Sequence, residues 1–302
     1  MANDLLLCPI CMQGKFELNI YDRTWLYNEI EYRLKKCKNC GLVFASPLPD
    51  FDTIRILYER DYDYSWFEKW KVLKKLQAHH RMVRIKKYIR PGSKVLDIGC
   101  GHGYFVNVLR RFGYESYGYD FSTSKKLIHE ANNCYYEKDM DKLSISDIDA
   151  IAIYHTLEHY PFPRELLTKI NRKLRQHALI FIALPNYCSL GQKLRKAKWV
   201  WLQQPYVHIY HFNPNNIKLL VQDSGFEIEK VWTADSWDSS VYYFGINSIL
   251  NKVKIFLGKN YQDWILIDQI LIIFCAMISY LMKPIHYFFK TGSEIMIIAR
   301  KK

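Results

Sequence analysis

Acidic residues are in short supply in this chain. Thirty aspartates and glutamates stand against 43 lysines and arginines, a formal charge of +13 over 302 residues. That imbalance favours an anionic partner, whether nucleic acid, an acidic lipid surface or a phosphorylated substrate, and charge alone does not choose among them. A secretory signal is missing too. Met1-Ala2-Asn3-Asp4-Leu5-Leu6-Leu7 has no basic n-region and too short an apolar run, so a cytoplasmic location with reduced cysteines is expected. No unbroken bilayer span stands out either: residues 264–282 are nearly long enough, but Asp268-Gln269 interrupts them. The glycine-rich stretch Asp97-Ile98-Gly99-Cys100-Gly101-His102-Gly103 lacks the next glycine that a dinucleotide loop requires, because Tyr104 occupies that position.

What is present describes a folded globular chain, 49% hydrophobic and 24% charged, with aromatics high at 16% and enough length for one large domain or two smaller ones. Of eight cysteines, Cys8, Cys11, Cys37 and Cys40 form C-x2-C-x25-C-x2-C, which in a reducing compartment reads as tetrahedral zinc. Four thiolates leave no open coordination position, so the metal is expected to be structural, stapling a ribbon over 1–46 that is too small to hold itself by apolar burial. Cys100, Cys134, Cys188 and Cys275 are scattered and are expected to be small buried hydrophobes. Pro47-Leu48-Pro49 marks a boundary, and a helical linker or cap is expected over 47–92.

From Ser93 onward strands and single helices alternate. Strands are expected at Val95–Ile98, Glu115–Asp120, Ala150–Tyr154, Ala178–Leu184 and Phe226–Thr233, with a last one at Ser293–Ala299 after an insertion over 236–290. Helices are expected at Tyr104–Phe112, Ser124–Asn132, Pro163–Leu174 and Asn215–Ser224. This alternation predicts an α/β fold, a doubly wound, mostly parallel sheet over 93–302 with its ligand beyond the strands' carboxyl ends. The glycines follow one strand and precede a helix, so bare backbone can approach a ligand there. Asp97 lies in that strand and Asp120 ends the next. The pair suits a ligand with a ribose and an ammonium group: Asp120 can accept both ribose hydroxyls, and Asp97 can bind the ammonium directly or through water.

These residues resemble the class I S-adenosylmethionine-dependent methyltransferases. Asp139-Met140 sits where that family places an adenine-binding pair, and Tyr154-His155-Thr156-Leu157-Glu158-His159-Tyr160-Pro161 matches its segment after the fourth strand. Cys40-Gly41-Leu42-Val43-Phe44, Pro205 to Phe212 and Ser224-Gly225-Phe226 narrow the likeness to the zinc-ribbon-bearing methyltransferases of polysaccharide and secondary-metabolite pathways. The resemblance covers about residues 8–233 plus the last strand; the insertion matches no motif. It implies a Rossmann-like domain that binds S-adenosylmethionine through Asp97, Gly99, Gly101, Gly103, Asp120, Phe121, Asp139, Met140 and His155.

Methyl transfer from a sulfonium is an in-line displacement, so such an enzyme positions its acceptor and, for a hydroxyl, removes a proton. His155, His159, His208 and His211 fall in loops expected at the sheet's carboxyl end. His159 is the first candidate for a general base and His208 the second, each with a packing role as the competing reading. Glu158 with His159 suggests a divalent-cation site, but no third ligand is visible, so no catalytic metal is expected. The amphipathic stretch 241–257 and the apolar 264–282 are read as a shallow helix pair lying on an anionic membrane, with Gly191 to Trp201 supplying basic residues beside tryptophans. A core helix or a homodimer face is the alternative. The expected function is O-methylation of a sugar or lipid-linked glycan intermediate at the inner face of a membrane. RNA or protein methylation is the rival, although no aromatic RNA-binding signature argues for nucleic acid. A non-catalytic cofactor-binding scaffold is the rival from another class.

Overall fold

The computed structural model describes residues 5–61, 71–122, 133–137, 139–235 and 284–302, together with Met277, Leu281 and Met282. The expected helices at 124–132 and 241–257, that at 264–282 apart from Met277, Leu281 and Met282, and Cys275 lie outside the described residues.

The N-terminal segment builds a small antiparallel sheet from β1 (Phe16–Glu17), β2 (Trp25–Tyr27), β3 (Ile30–Cys37) and β4 (Val43–Ser46), in which β3 pairs with each of the others. Tyr32 and Leu34 alternate inward along β3, as the period of a half-buried strand requires, and Cys37, out of that phase, is buried at the strand's end. Two knuckles shape the cysteine pairs. Met12 N–H donates to the Cys8 carbonyl and Gly41 N–H to the Cys37 carbonyl, both at 2.9 Å. The cap that follows is short helix α1 (Phe51–Ile56), a wide π turn at Leu57–Asp61, and the longer α2 (Lys71–Ile85).

The main sheet has seven strands: β5 (Lys94–Ile98), β6 (Glu115–Asp120), β7 (Cys134–Tyr136), β8 (Ile148–Tyr154), β9 (Leu174–Pro185), β11 (Phe226–Ala234) and β12 (Glu294–Lys301). Their order is β11-β12-β9-β8-β5-β6-β7; β5 to β9 run parallel, and β12 is antiparallel to both β9 and β11. Both faces are covered, so the central strands are apolar throughout, yet their two faces differ in size. Ile151, Ile153, Ile180 and Ile182 point into one core layer, which α4 (Pro163–Lys173) closes with Leu166, Leu167 and Ile170. Ala150 and Ala152 point into the other, where Ala78, Met82 and Ile85 of α2 pack beside Phe105, Val108 and Leu109 of α3 (Tyr104–Arg111). The alanines leave room for helices lying close against the sheet.

Strand order reverses at β5, with β6 and β7 on one side and β8 and β9 on the other. Such a switch point opens a crevice at the strands' carboxyl ends. The segment between β9 and β11 wraps that end through α5 (Leu190–Arg195), the two-residue β10 (Tyr210–His211) and α6 (Pro214–Asp223). β10 does not join the main sheet. It pairs with β4, completing the N-terminal sheet.

Candidate cofactor and acceptor site

A cavity of about 390 Å³ lies over the carboxyl ends of β5, β6 and β8. The glycine loop forms its floor. Gly99 has φ +74, and a Cβ there would fall on the Thr156 side chain, whose hydroxyl donates to the Ile98 carbonyl at 3.0 Å. Only glycine fits between these two strand ends. Gly101 N–H donates to Asp120 Oδ2 and Ser122 N–H to Asp120 Oδ1, both at 2.9 Å, so one carboxylate holds the loop and its own strand end together. Gly103, at φ +73, caps the N-terminus of α3.

Asp97 and Asp120 are both buried cavity-lining residues. Burial pushes the Asp97 carboxyl up to about 7, with Arg81 pulling it down and Asp120 adding repulsion. Burial also raises Asp120, against the two N–H groups that stabilise its charge. Phe121 completes this wall, edge-on to Phe51 and Tyr58 at 5.7 and 5.4 Å.

Histidines gather on the opposite side. His155 Nε2 sits 2.9 Å from Glu294 on β12 and its Nδ1 3.5 Å from Glu158. Burial opposes its charge, but Glu294 and Glu158 outweigh that and hold His155 up to about 9, while His155 holds Glu294 down to about 2 against burial. His155 therefore lines the cavity as a charged group committed to Glu294. His159 Nδ1 is 2.8 Å from the Val207 carbonyl, which makes Nδ1 the donor and leaves a lone pair on Nε2. The His208 ring lies 4.5 Å from that of His159. Burial lowers both pKa values, His208 well below the ordinary histidine range, so both imidazoles are neutral near pH 7.

Not every residue picked from the sequence reaches this cavity. Asp139 caps the turn Met140–Lys142 and sits 3.6 Å from Lys169, while Met140 is buried in the core; neither is among the lining residues. His211 is packed behind the wall between Tyr187 and Trp199, where burial holds it down to about 3. The tryptophans of the basic loop correct the membrane reading of that segment. Trp199 is buried, and Trp201 turns into the cavity, 6.2 Å from His155 and 5.0 Å from His208, because indole area is better removed from water than displayed. Cys188 is exposed rather than buried.

Other lining residues were missed. Lys74, Gln77, Ala78 and Arg81 of α2 face the cavity, and Gln204 joins Trp201 on the opposite rim. The spacing i, i+3, i+4, i+7 marks those four as one helix face. Arg81 lies 4.6 Å over the Tyr154 ring.

The four N-terminal cysteines converge. Cys8 and Cys40 sulfurs stand 3.7 Å apart, Cys11 and Cys37 3.5 Å, and all four lie within 4.8 Å of one another. Sulfurs placed tetrahedrally at about 2.3 Å from a zinc ion stand about 3.8 Å apart, so this cluster fits a structural metal. Among the described residues no helix is long and apolar enough to cross a membrane.

A switch-point cavity with a glycine loop and two strand-end acids is the arrangement expected of a class I methyltransferase fold. Comparison with known proteins agrees. Residues 62–231, more than half of the chain, match the model of the methyltransferase domain family, and the chain belongs to that family. It is therefore a methyltransferase-domain protein by class. Over 109 residues it is 28% identical to a ubiquinone biosynthesis O-methyltransferase of Glaesserella parasuis serovar 5 (strain SH0165), a match covering 32% of this chain and 46% of that relative's length. The crystal structure of a SAM-dependent methyltransferase from Archaeoglobus fulgidus superposes with a TM-score of 0.51 at 21% identity, covering 79% of this chain and all of that one, a likeness of fold.

Proposed function

We propose that this chain transfers a methyl group to a hydroxyl of a sugar or lipid-linked glycan intermediate, with zinc in the cysteine cluster as a structural staple. The observation that carries this reading is the placement of two neutral imidazoles, His159 and His208, on the cavity that Asp97, Asp120 and the glycine loop also line. S-adenosylmethionine, when bound, supplies an electrophilic methyl group. Asp120 holds a ribose by its hydroxyls, and Asp97, once ionised, holds an ammonium group. His159 has its Nδ1 proton tied to Val207, so Nε2 is the atom that accepts a hydroxyl proton. Trp201 beside Gln204 suits a pyranose, which is apolar across its C–H face and polar at its rim. The O-methyltransferase relative supports oxygen as the acceptor atom.

A membrane-side acceptor is supported by the end of the insertion that is expected to lie on the membrane. Leu281, Tyr287, Phe288 and Phe289 are exposed, and Leu190 at the start of the basic α5 hydrogen-bonds Thr291 at the end of that aromatic run. The decisive experiment is transfer of labelled methyl from the cofactor to cell extract split into lipid, polysaccharide, nucleic-acid and protein pools. Label in the lipid or polysaccharide pool supports this reading. Label in RNA or protein replaces it, and no transfer to any pool leaves a cofactor-binding scaffold.

A further inference from the structure

Gly118, on β6, lies against two sulfur atoms at once. A Cβ at that position would stand 2.7 Å from Cys100 Sγ and 2.7 Å from Cys134 Sγ, so the two thiols are at most twice that distance, 5.4 Å, apart. Because residue 118 is glycine, no Cβ holds them away from each other. Cys134 is the Cα partner of Gly118 in the parallel register of β6 with β7, and Cys100 is anchored to the same strand by its N–H, which donates to the Tyr119 carbonyl at 3.2 Å. The pair belongs to a small cluster apart from the two main core layers, in which Cys134 and Tyr136 pack against the buried Cys100 and Val106. Burial as a small apolar side chain accounts for Cys100. It does not account for Cys134, which is only half-buried, on the strand that ends the sheet.

One of these thiols sits on the floor of the cavity. Cys100 lies between Gly99 and Gly101 and is itself a lining residue. Gly101 N–H donates to Asp120 Oδ2 at 2.9 Å, and its carbonyl accepts from the Tyr136 hydroxyl at 2.7 Å, two residues beyond Cys134 on β7. Loop, ribose-side acid and edge strand therefore meet where the sulfurs meet. We propose that Cys100 and Cys134 form a reversible disulfide, with a hydroperoxide as oxidant, that loosens the cofactor's seat. The hydrogen bond from Cys134 and burial push the Cys100 thiol well above the usual thiol range, so Cys134 meets the oxidant first. Its sulfur attacks one peroxide oxygen, the O–O bond breaks, and a sulfenic acid and one water result. Cys100 sulfur then displaces the sulfenic hydroxyl, which leaves as a second water with the Cys100 proton. In sum two thiols give up two protons and two electrons, and one hydrogen peroxide becomes two waters. Bonded sulfurs stand about 2 Å apart, so closure draws Cys100 toward β7 and Gly101 N–H away from Asp120. In a reducing compartment such a bond is transient, as a sensor requires.

This inference rests on the reading that the glycine loop receives S-adenosylmethionine, and it is independent of the acceptor. The test treats full-length protein, zinc in its cysteine site, with a slight excess of hydrogen peroxide. Disulfides are mapped by mass spectrometry of peptides, and S-adenosylhomocysteine affinity is measured by calorimetry before and after. A cross-link between Cys100 and Cys134 is expected, with affinity lowered at least about tenfold, the effect of losing one hydrogen bond to a charged group, and restored by dithiothreitol. Cys134 is not among the cavity-lining residues, so Cys134→Ser and Cys134→Ala should each bind like wild type when reduced and keep that affinity through peroxide. No cross-link between the two, or a cross-link that leaves affinity unchanged, overturns the proposal. So does an affinity loss that persists in both variants, which would place the damage at the zinc cysteines or at the exposed Cys188. Reduced wild type that binds no S-adenosylhomocysteine overturns the cofactor reading itself, a failure visible before any oxidant is added.

Discussion

Asp97→Asn should make the protein more stable and a poorer binder of its cofactor. Burial puts the Asp97 carboxyl at about 7 in the folded state against a reference of 3.8, a difference of about three pK units. Each unit is worth about 1.4 kcal/mol, so ionising this side chain in the empty cavity costs about 4 kcal/mol, an order-of-magnitude figure. The folded state keeps a proton that the unfolded chain has lost, so this group's contribution to stability falls as pH rises from about 4 to about 7 and is flat above. Cofactor affinity runs the other way. The ligand's ammonium group pairs with the carboxylate, so affinity should climb up to tenfold per pH unit below 7 and level off above it. Asn cannot titrate, and the substitution should remove both slopes. Calorimetric titration with S-adenosylhomocysteine between about pH 5.5 and 8.5, beside thermal melts of the empty protein, measures both slopes. A variant that melts lower than wild type at pH 8, or that keeps the wild-type pH dependence of affinity, would refute the reasoning.

Asp120→Ala should weaken cofactor binding by roughly 1.5–3 kcal/mol, the range for hydrogen bonds to a charged group, in a protein that still folds by circular dichroism; unchanged affinity would remove its assignment. Gly99→Ala places a Cβ on the Thr156 side chain at a φ of +74 and should lower stability by at least about 2 kcal/mol in urea unfolding, a cost that wild-type-like unfolding would contradict. Elemental analysis should find about one zinc per chain in the N-terminal cluster, and Cys37→Ser should lose it along with thermal stability. Metal-free protein of full stability would defeat that expectation.

The strand-end acids and the glycine loop could be read from the chain because their physics is local. A glycine that must sit between two strand ends, and acids that interrupt otherwise apolar strands, stand out without any knowledge of the partners. The α2 face could not be read the same way. Lys74, Gln77 and Arg81 have the polar spacing of a solvated helix face, and a polar cavity selects the same residues as water does. The inward turn of Trp199 and Trp201 is hidden for a related reason: indoles beside lysines suit a lipid interface by composition, and only tertiary packing shows where they point. His208 stands out as a second candidate base, but its meeting with Glu158 depends on a strap between positions about fifty residues apart, which no short-range pattern carries.

The sheet that carries the cysteine cluster is completed late in the chain. Its last strand, β10, pairs Tyr210 with Phe44 and His211 with Val43; Ile209 accepts from Ala45 N–H, and the Asn213 side chain reaches the Cys40 carbonyl at 3.2 Å. During synthesis the cysteines therefore leave the ribosome long before the strand that seals their sheet, which arrives only after most of the cofactor domain has been made. The same few residues also carry His208 and the tie to Glu158. A chain cut before residue 205 would lose the edge of the metal module and the wall of the acceptor cavity together, so the two cannot be separated into independent pieces by truncation.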